Sequence, residues 1–163
     1  MRLYSLAVAA LCLTAAPALA GDDDYGAYLF KGGCDAFAPD LVVKDVGDLD
    51  IEKDPAKEWA RLAPDNATAP DPVRLEDEST SKVTVDEITA GGYAIAVTDA
   101  DDPTARVIAC GEIPQDAALP FVGELAEVDG SGTEGRIAIE EHKKGVKITT
   151  AAYAKDAVPP LAD

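Results

Sequence analysis

The chain has 163 residues, with 31 acidic against 14 basic side chains and a formal net charge of −17. That balance excludes a protein that binds nucleic acid or an anionic membrane through a broad basic surface, because both would repel it. Beyond the first 20 residues no apolar run approaches the roughly 18 residues of a membrane-spanning helix, so membrane insertion is not expected.

Residues 1–20 read as a secretory signal peptide. Arg2 supplies the positive start, residues 3–16 are largely apolar, and Ala18-Leu19-Ala20 is a small-residue cleavage site. The expected location is therefore secreted or periplasmic. Cleavage there leaves 143 residues, enough for one domain with a real core. Without Arg2 the balance is 13 basic against 31 acidic, a net charge of −18. Cys12 leaves with the signal peptide. Cys34 and Cys110 remain, and in an oxidising compartment their default state is a disulfide. The alternative is a pair of buried free thiols.

The elements follow in chain order. Residues 21–26 (GDDDYG) form an acidic leader. Residues 27–31 (AYLFK) are a short strand ended by Gly32-Gly33. Residues 41–46 are a second strand, extended by residues 48–51 after Gly47. Residues 54–62 read as a short helix with Asp54 as cap and Pro55 in the first position. On it, Trp59 and Leu62 lie three apart on one face, read first as a helical turn that pins the long loop to the sandwich and, as the alternative, as a contact pair for a partner. Residues 63–80 read as irregular, because Pro64, Pro70 and Pro72 exclude a regular central strand. Asn66-Ala67-Thr68 is a glycosylation sequon.

From residue 82 the pattern is strand after strand. Residues 82–85 alternate through Val83 and Val85, with Ile88 beyond. Residues 93–97 alternate Tyr93, Ile95 and Val97 with alanines, and an acidic connection (residues 99–103) leads to a strand at residues 107–111. Residues 121–128 and 136–140 flank the turn Asp129-Gly130-Ser131-Gly132. Residues 146–153 close the series, and residues 156–163 read as a disordered tail. Short strands at even spacing with Gly-rich turns predict one all-β domain over residues 21–155.

Residues 82–113 resemble the C-terminal part of the copper-zinc superoxide dismutases. That family carries a strand ending VVHE-KADD and an approach to ACGVIG; this chain has AIAVTDADD and VIACGEI. Residues 28–34 (YLFKGGC) resemble the family's HVHEFG segment followed by a Gly-Cys loop. Residues 124–153 are similar to the family's N-terminal hairpins, placed here at the other end of the chain. The resemblance implies a circularly permuted, antiparallel Greek-key β-sandwich or flattened barrel, with a loop cysteine bonded to the ACG cysteine, that is Cys34 to Cys110.

The same alignment removes the family's chemistry. Cu(II) favours imidazole nitrogen in a tetragonal arrangement. The two histidines of HVHEFG fall on Tyr28 and Phe30, and that of VVHE falls on Thr98. The bridging and zinc histidines would follow Cys34, where none occurs. The family's guiding arginine falls on Val107, with Arg106 one residue off and so on the other face of a strand. The single histidine, His142, is expected at a hairpin tip.

No other constellation replaces it. Residues 127–132 imitate part of an EF-hand, but Ala138 stands where the bidentate Glu belongs. Asp99, Asp101 and Asp102 offer hard oxygen ligands for a weak Ca²⁺ site, against the plainer reading of a solvated charge run. With one histidine on a turn, neither a Ser-His-Asp nor a Cys-His nucleophile is supported. The expectation is a secreted, non-catalytic superoxide-dismutase-like module without a cofactor. It would bind an unidentified protein or small ligand through residues 48–80. The alternative is a metal-dependent enzyme with a carboxylate-built site near Tyr28, or residual dismutase-family activity.

Overall fold

The computed structural model describes residues 24–63 and 68–158, with nothing stated for the side chains of Asp77 and Glu78. The signal peptide, Asn66 of the sequon and residues 159–163 lie outside the described residues.

Eight antiparallel strands close into a barrel. They are β1 (Tyr25–Lys31), β2 (Val42–Ile51), β3 (Val73–Ser81), β4 (Tyr93–Thr98), β5 (Val107–Ile113), β6 (Phe121–Glu127), β7 (Thr133–His142) and β8 (Gly145–Ala154). Around the barrel the order is β1-β2-β3-β8-β7-β6-β5-β4. Every pair of consecutive strands lies side by side except β3 and β4, which are separated by β2 and β1. Two seams are short. β2 meets β3 only at Asp50↔Leu75 and Ile51↔Arg74, and β5 meets β6 only at Ala109↔Glu127 and Cys110↔Ala126. The barrel is thus two four-stranded sheets that touch along brief edges.

Period-two alternation decides what fills the interior. Leu29, Leu49, Ile95, Val97, Ile108, Leu125, Ile137, Ile139 and Ile148 form the central cluster. Both outer faces are covered as well. Phe30, Ala94, Ala96 and Cys110 lie beneath Cys34, Phe37 and Leu41 of the connection after β1. This is why all six residues of β4 are buried: its large side chains face inward and its alanines accept the covering loop. On the other sheet, helix α1 (Ala56–Leu62) lays Trp59 and Leu62 against Val73, Leu75, Ala151 and Tyr153.

Three sequence expectations are corrected. Helix α1 starts at Ala56 with Pro55 in the capping position, and Asp54 makes no cap; instead the Glu52 carboxylate accepts from the backbone N–H groups of Lys53 and Asp54. A strand does run through the segment read as irregular, because β3 begins at Val73, directly after Pro72, where no ladder donor is lost. Residues 82–85 are not a strand. Thr84 caps helix α2 (Val85–Thr89) with Glu87 in a reciprocal capping box, which competes successfully with the Val83/Val85 alternation. Val158, the last described residue, is buried against Trp59, Leu62 and Tyr153.

The hairpin reading of residues 127–132 holds. Asp129 and Gly130 adopt positive φ of 50° and 65°, and the Ser131 hydroxyl donates to the Ile108 carbonyl at 2.6 Å.

Candidate functional site

The positions that resemble metal-ligand positions lie on two adjoining strands. β1 pairs with β4 so that Gly26 faces Thr98, Tyr28 faces Ala96 and Phe30 faces Ala94. Tyr28, Phe30 and Thr98 therefore share the outer face of the sheet, opposite the inward-facing Leu29, Ile95 and Val97. All three are at least 98 % buried.

Each of these side chains already has a partner. The Tyr28 hydroxyl donates to Asp101 Oδ1 at 3.0 Å. The Thr98 hydroxyl lies 2.7 Å from the Ala100 carbonyl and 3.3 Å from that of Gly26. Phe30 stacks edge-to-face on Phe37 at 4.9 Å, under the covering loop. A Cβ on Gly26 would meet the Tyr28 ring at 2.7 Å and the Thr98 hydroxyl at 2.9 Å, so the glycine leaves the space those side chains fill.

The corner is acidic. Loss of solvation, the hydrogen bond to Asp101 and the charges of Asp101, Asp45 and Asp102 push the Tyr28 phenol well above its usual range. Asp48 is also raised, first by desolvation, then by a hydrogen bond with Asp101, then by repulsion from Asp101, Asp45 and Asp24. A carboxyl raised in the folded state holds its proton longer there than in the unfolded chain. Its stabilising effect is present below the ordinary carboxylate range and is lost as pH rises through the raised value. Asp48→Asn is therefore expected to raise the melting temperature near pH 7 and to do so much less near pH 3. Equal shifts at the two pH values, read by circular dichroism, would contradict this reading of the corner.

The three candidate cation ligands do not converge. Asp99 forms an ion pair with Arg106 at 3.2 Å. Asp101 takes the Tyr28 hydroxyl. Asp102 accepts from the backbone N–H and hydroxyl of Thr104, both at 2.7 Å, which lowers its pKa. Among the described residues, no group of three or more His, Cys, Asp or Glu side chains is placed to hold a metal ion. His142 ends β7 at the opposite end of the barrel, paired with Gly145, and is exposed.

Searched against family models, curated proteins and solved structures, the chain matches none. The site is therefore read from its own geometry.

Trp59 and Leu62 are not a surface pair. Both are 0 % exposed, so they hold α1 on the barrel and cannot meet a partner from this position. The segment they were chosen from does hold a shallow depression of about 530 Å³, with Ile51, Pro55, Ala69 and Pro70 on its wall. Ile51 is 50 % exposed there.

Cys34 and Cys110 are joined, with their Cα atoms 5.8 Å apart. The bond ties the loop after β1 to β5, directly over Phe30 and Ala96. Among the described residues no helix is long and apolar enough to cross a membrane.

Sequence reasoning did not find Arg136 or Arg74. Arg136 is 2 % exposed; its guanidinium lies 5.8 Å from the Trp59 ring centre, and Nη1 donates to the Leu62 carbonyl at 3.4 Å. Arg74 is 3 % exposed and stacks 4.5 Å over Tyr25. An arginine in a strand reads as a solvent-facing position, and only the aromatic partners brought by other elements show otherwise.

Proposed function

We propose that this chain is an exported, non-catalytic scaffold of superoxide-dismutase-like Greek-key fold, circularly permuted, acting as a binding or structural module. One observation carries the reading. The three positions at which the resemblance calls for imidazole hold a phenol, a phenyl ring and a hydroxyl, each buried and each engaged elsewhere. A redox metal centre needs ligands with free lone pairs aimed at one point. Here the space is closed by side chains that seal two strands to a loop.

The strand order supports the permutation. β4 and β5 resemble the family's last strands, and β6 to β8 resemble its first hairpins. In this chain β5, β6, β7 and β8 are consecutive neighbours. If the family's two chain ends lie side by side, a short link between them gives this arrangement, and the new ends open elsewhere on the surface. The disulfide supports it too, since it joins the loop cysteine to the ACG cysteine.

The test is superoxide-dismutation activity of the mature protein after it is offered copper, zinc or manganese. The expected result is no turnover above that of the free ions. Protein-bound turnover that disappears in Tyr28→Phe or Asp101→Asn would overturn the reading in favour of a metal enzyme rebuilt around this corner.

A further inference from the structure

The depression beside Ile51 sits where three elements meet. β2 ends at Ile51, paired with Arg74, and the Glu52 N–H donates to the Val73 carbonyl at 3.2 Å, which fixes the strand end on β3. The chain then turns into α1, which Trp59 and Leu62 hold on the barrel. Residues 68–71 supply the remaining wall on the way back to β3. The apolar part of the wall is Ile51, Pro55, Ala56, Ala69 and Pro70. The prolines and alanines have no side-chain rotamer to lose, so covering them costs little conformational entropy. Ile51 is 50 % exposed, and it and Val43 are the large apolar side chains left exposed among the described residues. The volume of about 530 Å³ is that of a small-molecule site.

The polar part of the wall is anionic. Glu52 and Asp71 stand there against one base, Lys53. The Glu52 carboxylate is fixed in place, because its Oε1 accepts from the backbone N–H groups of Lys53 and Asp54 at 2.9 and 3.1 Å. The flanking residues add Asp50 and Asp54, both exposed, while Lys57 is paired with Glu58 at 3.2 Å. Arg74, opposite Ile51 in the strand pair, is buried against Tyr25 and is not part of the wall. Carboxylates therefore outnumber bases on the wall and on its flanks, in a chain of net charge −17. An anion would meet two carboxylates here, and a neutral apolar molecule would leave them unused.

We infer that this depression binds a small organic cation, an amine whose apolar body lies against Ile51, Pro55 and Pro70 and whose ammonium donates to Glu52 and Asp71. Charge complementarity and the preset apolar wall together name the occupant. Neither does so alone, since any ammonium is attracted to a chain of this charge and any apolar molecule to an exposed isoleucine. The inference rests on the reading of this barrel as a binding module, and gives that module a site and a ligand class.

An NMR titration of the mature protein with hexylammonium tests it, with methylammonium, hexanol and hexanoate beside it. Hexylammonium should saturate, with amide shifts confined to residues 51–57 and 68–71. Methylammonium carries the same charge without the apolar body and should bind about tenfold more weakly or worse. Hexanoate should not saturate. Ile51→Ser and Glu52→Gln/Asp71→Asn should each weaken hexylammonium by roughly fivefold. Lys53→Gln should tighten it by roughly twofold to fivefold, a gain that damage to the fold would not give. All four positions are exposed, so the variants should fold, which circular dichroism checks. Four results would each overturn the inference: no saturation by hexylammonium, equal affinity for methylammonium, tighter binding of hexanol or hexanoate, or shifts spread over the acidic corner at Asp24, Asp48 and Asp101. Variants that bind as the wild type does would overturn it too. Such results leave the non-catalytic reading standing, which dismutase turnover, read in a separate assay, would overturn.

Discussion

Trp59→Ala should be the most damaging single substitution in the chain. The indole is fully buried, meets Tyr153 edge-to-face at 5.8 Å and 78°, and lies under the Arg136 guanidinium. It joins α1 to Val73, Leu75, Ala138 and Ala151 on the sheet and to Val158 of the tail. Truncating a buried Trp to Ala typically costs about 3–5 kcal/mol, since transfer and cavity terms add. Here the helix is only 7 residues long, too short to persist without its tertiary contacts. The expected loss in urea denaturation followed by circular dichroism is therefore about 4 kcal/mol. Arg136 would keep its bond to the Leu62 carbonyl only if the helix stayed in place. A loss below about 1 kcal/mol would mean that α1 is not docked as described. Trp59 is the only tryptophan, so its emission in the wild type should be blue-shifted and shift red on unfolding.

Loss of the Cys34–Cys110 bond should have an effect of similar size. The two cysteines are 76 residues apart, and the chain-entropy treatment assigns such a crosslink about 4.5 kcal/mol. For a domain of this size that corresponds to a fall in melting temperature of roughly 15 °C. Cys34→Ser/Cys110→Ser, measured beside the reduced wild type, should give the same shift in both. The local consequence is as specific as the global one. The bond pins the loop that covers Phe30, Ala94 and Ala96, so hydrogen exchange should rise first in the outer residues of β1 and β4. A stability change below about 1 kcal/mol would show that the loop is held by its apolar contacts alone.

Much of the barrel was legible because its strands alternate cleanly. Ile95 and Val97, or Ile137 and Ile139, announce a strand with one face inward, and Asp129-Gly130 announces the turn between β6 and β7. β3 was hidden for a physical reason. Its sequence, VRLEDESTS, places Arg74 where an inward-facing apolar residue is expected, and that arginine is accommodated by the Tyr25 ring. α2 was hidden by competition between two local signals, of which the capping box of Thr84 and Glu87 prevailed. The candidate site was legible only as a set of replaced positions. Tyr28 and Asp101 are 73 residues apart, and Asp48 comes from a third element. No spacing rule brings them together; the register of β1 on β4 does. Trp59 and Leu62 show the reverse case, since three-residue spacing on a helix marks a shared face without saying whether that face meets a partner or the protein's own barrel.

We propose that the outer face of β1 and β4, filled by Tyr28, Phe30 and Thr98, binds no metal ion. Elemental analysis of the mature protein, made in an oxidising compartment and purified without chelator, tests it most directly. The predicted result is copper, zinc and manganese each far below one ion per chain, in folded, disulfide-bonded protein. Near-unit stoichiometry of any one of them, lost in Tyr28→Phe or Asp101→Asn, would contradict the account.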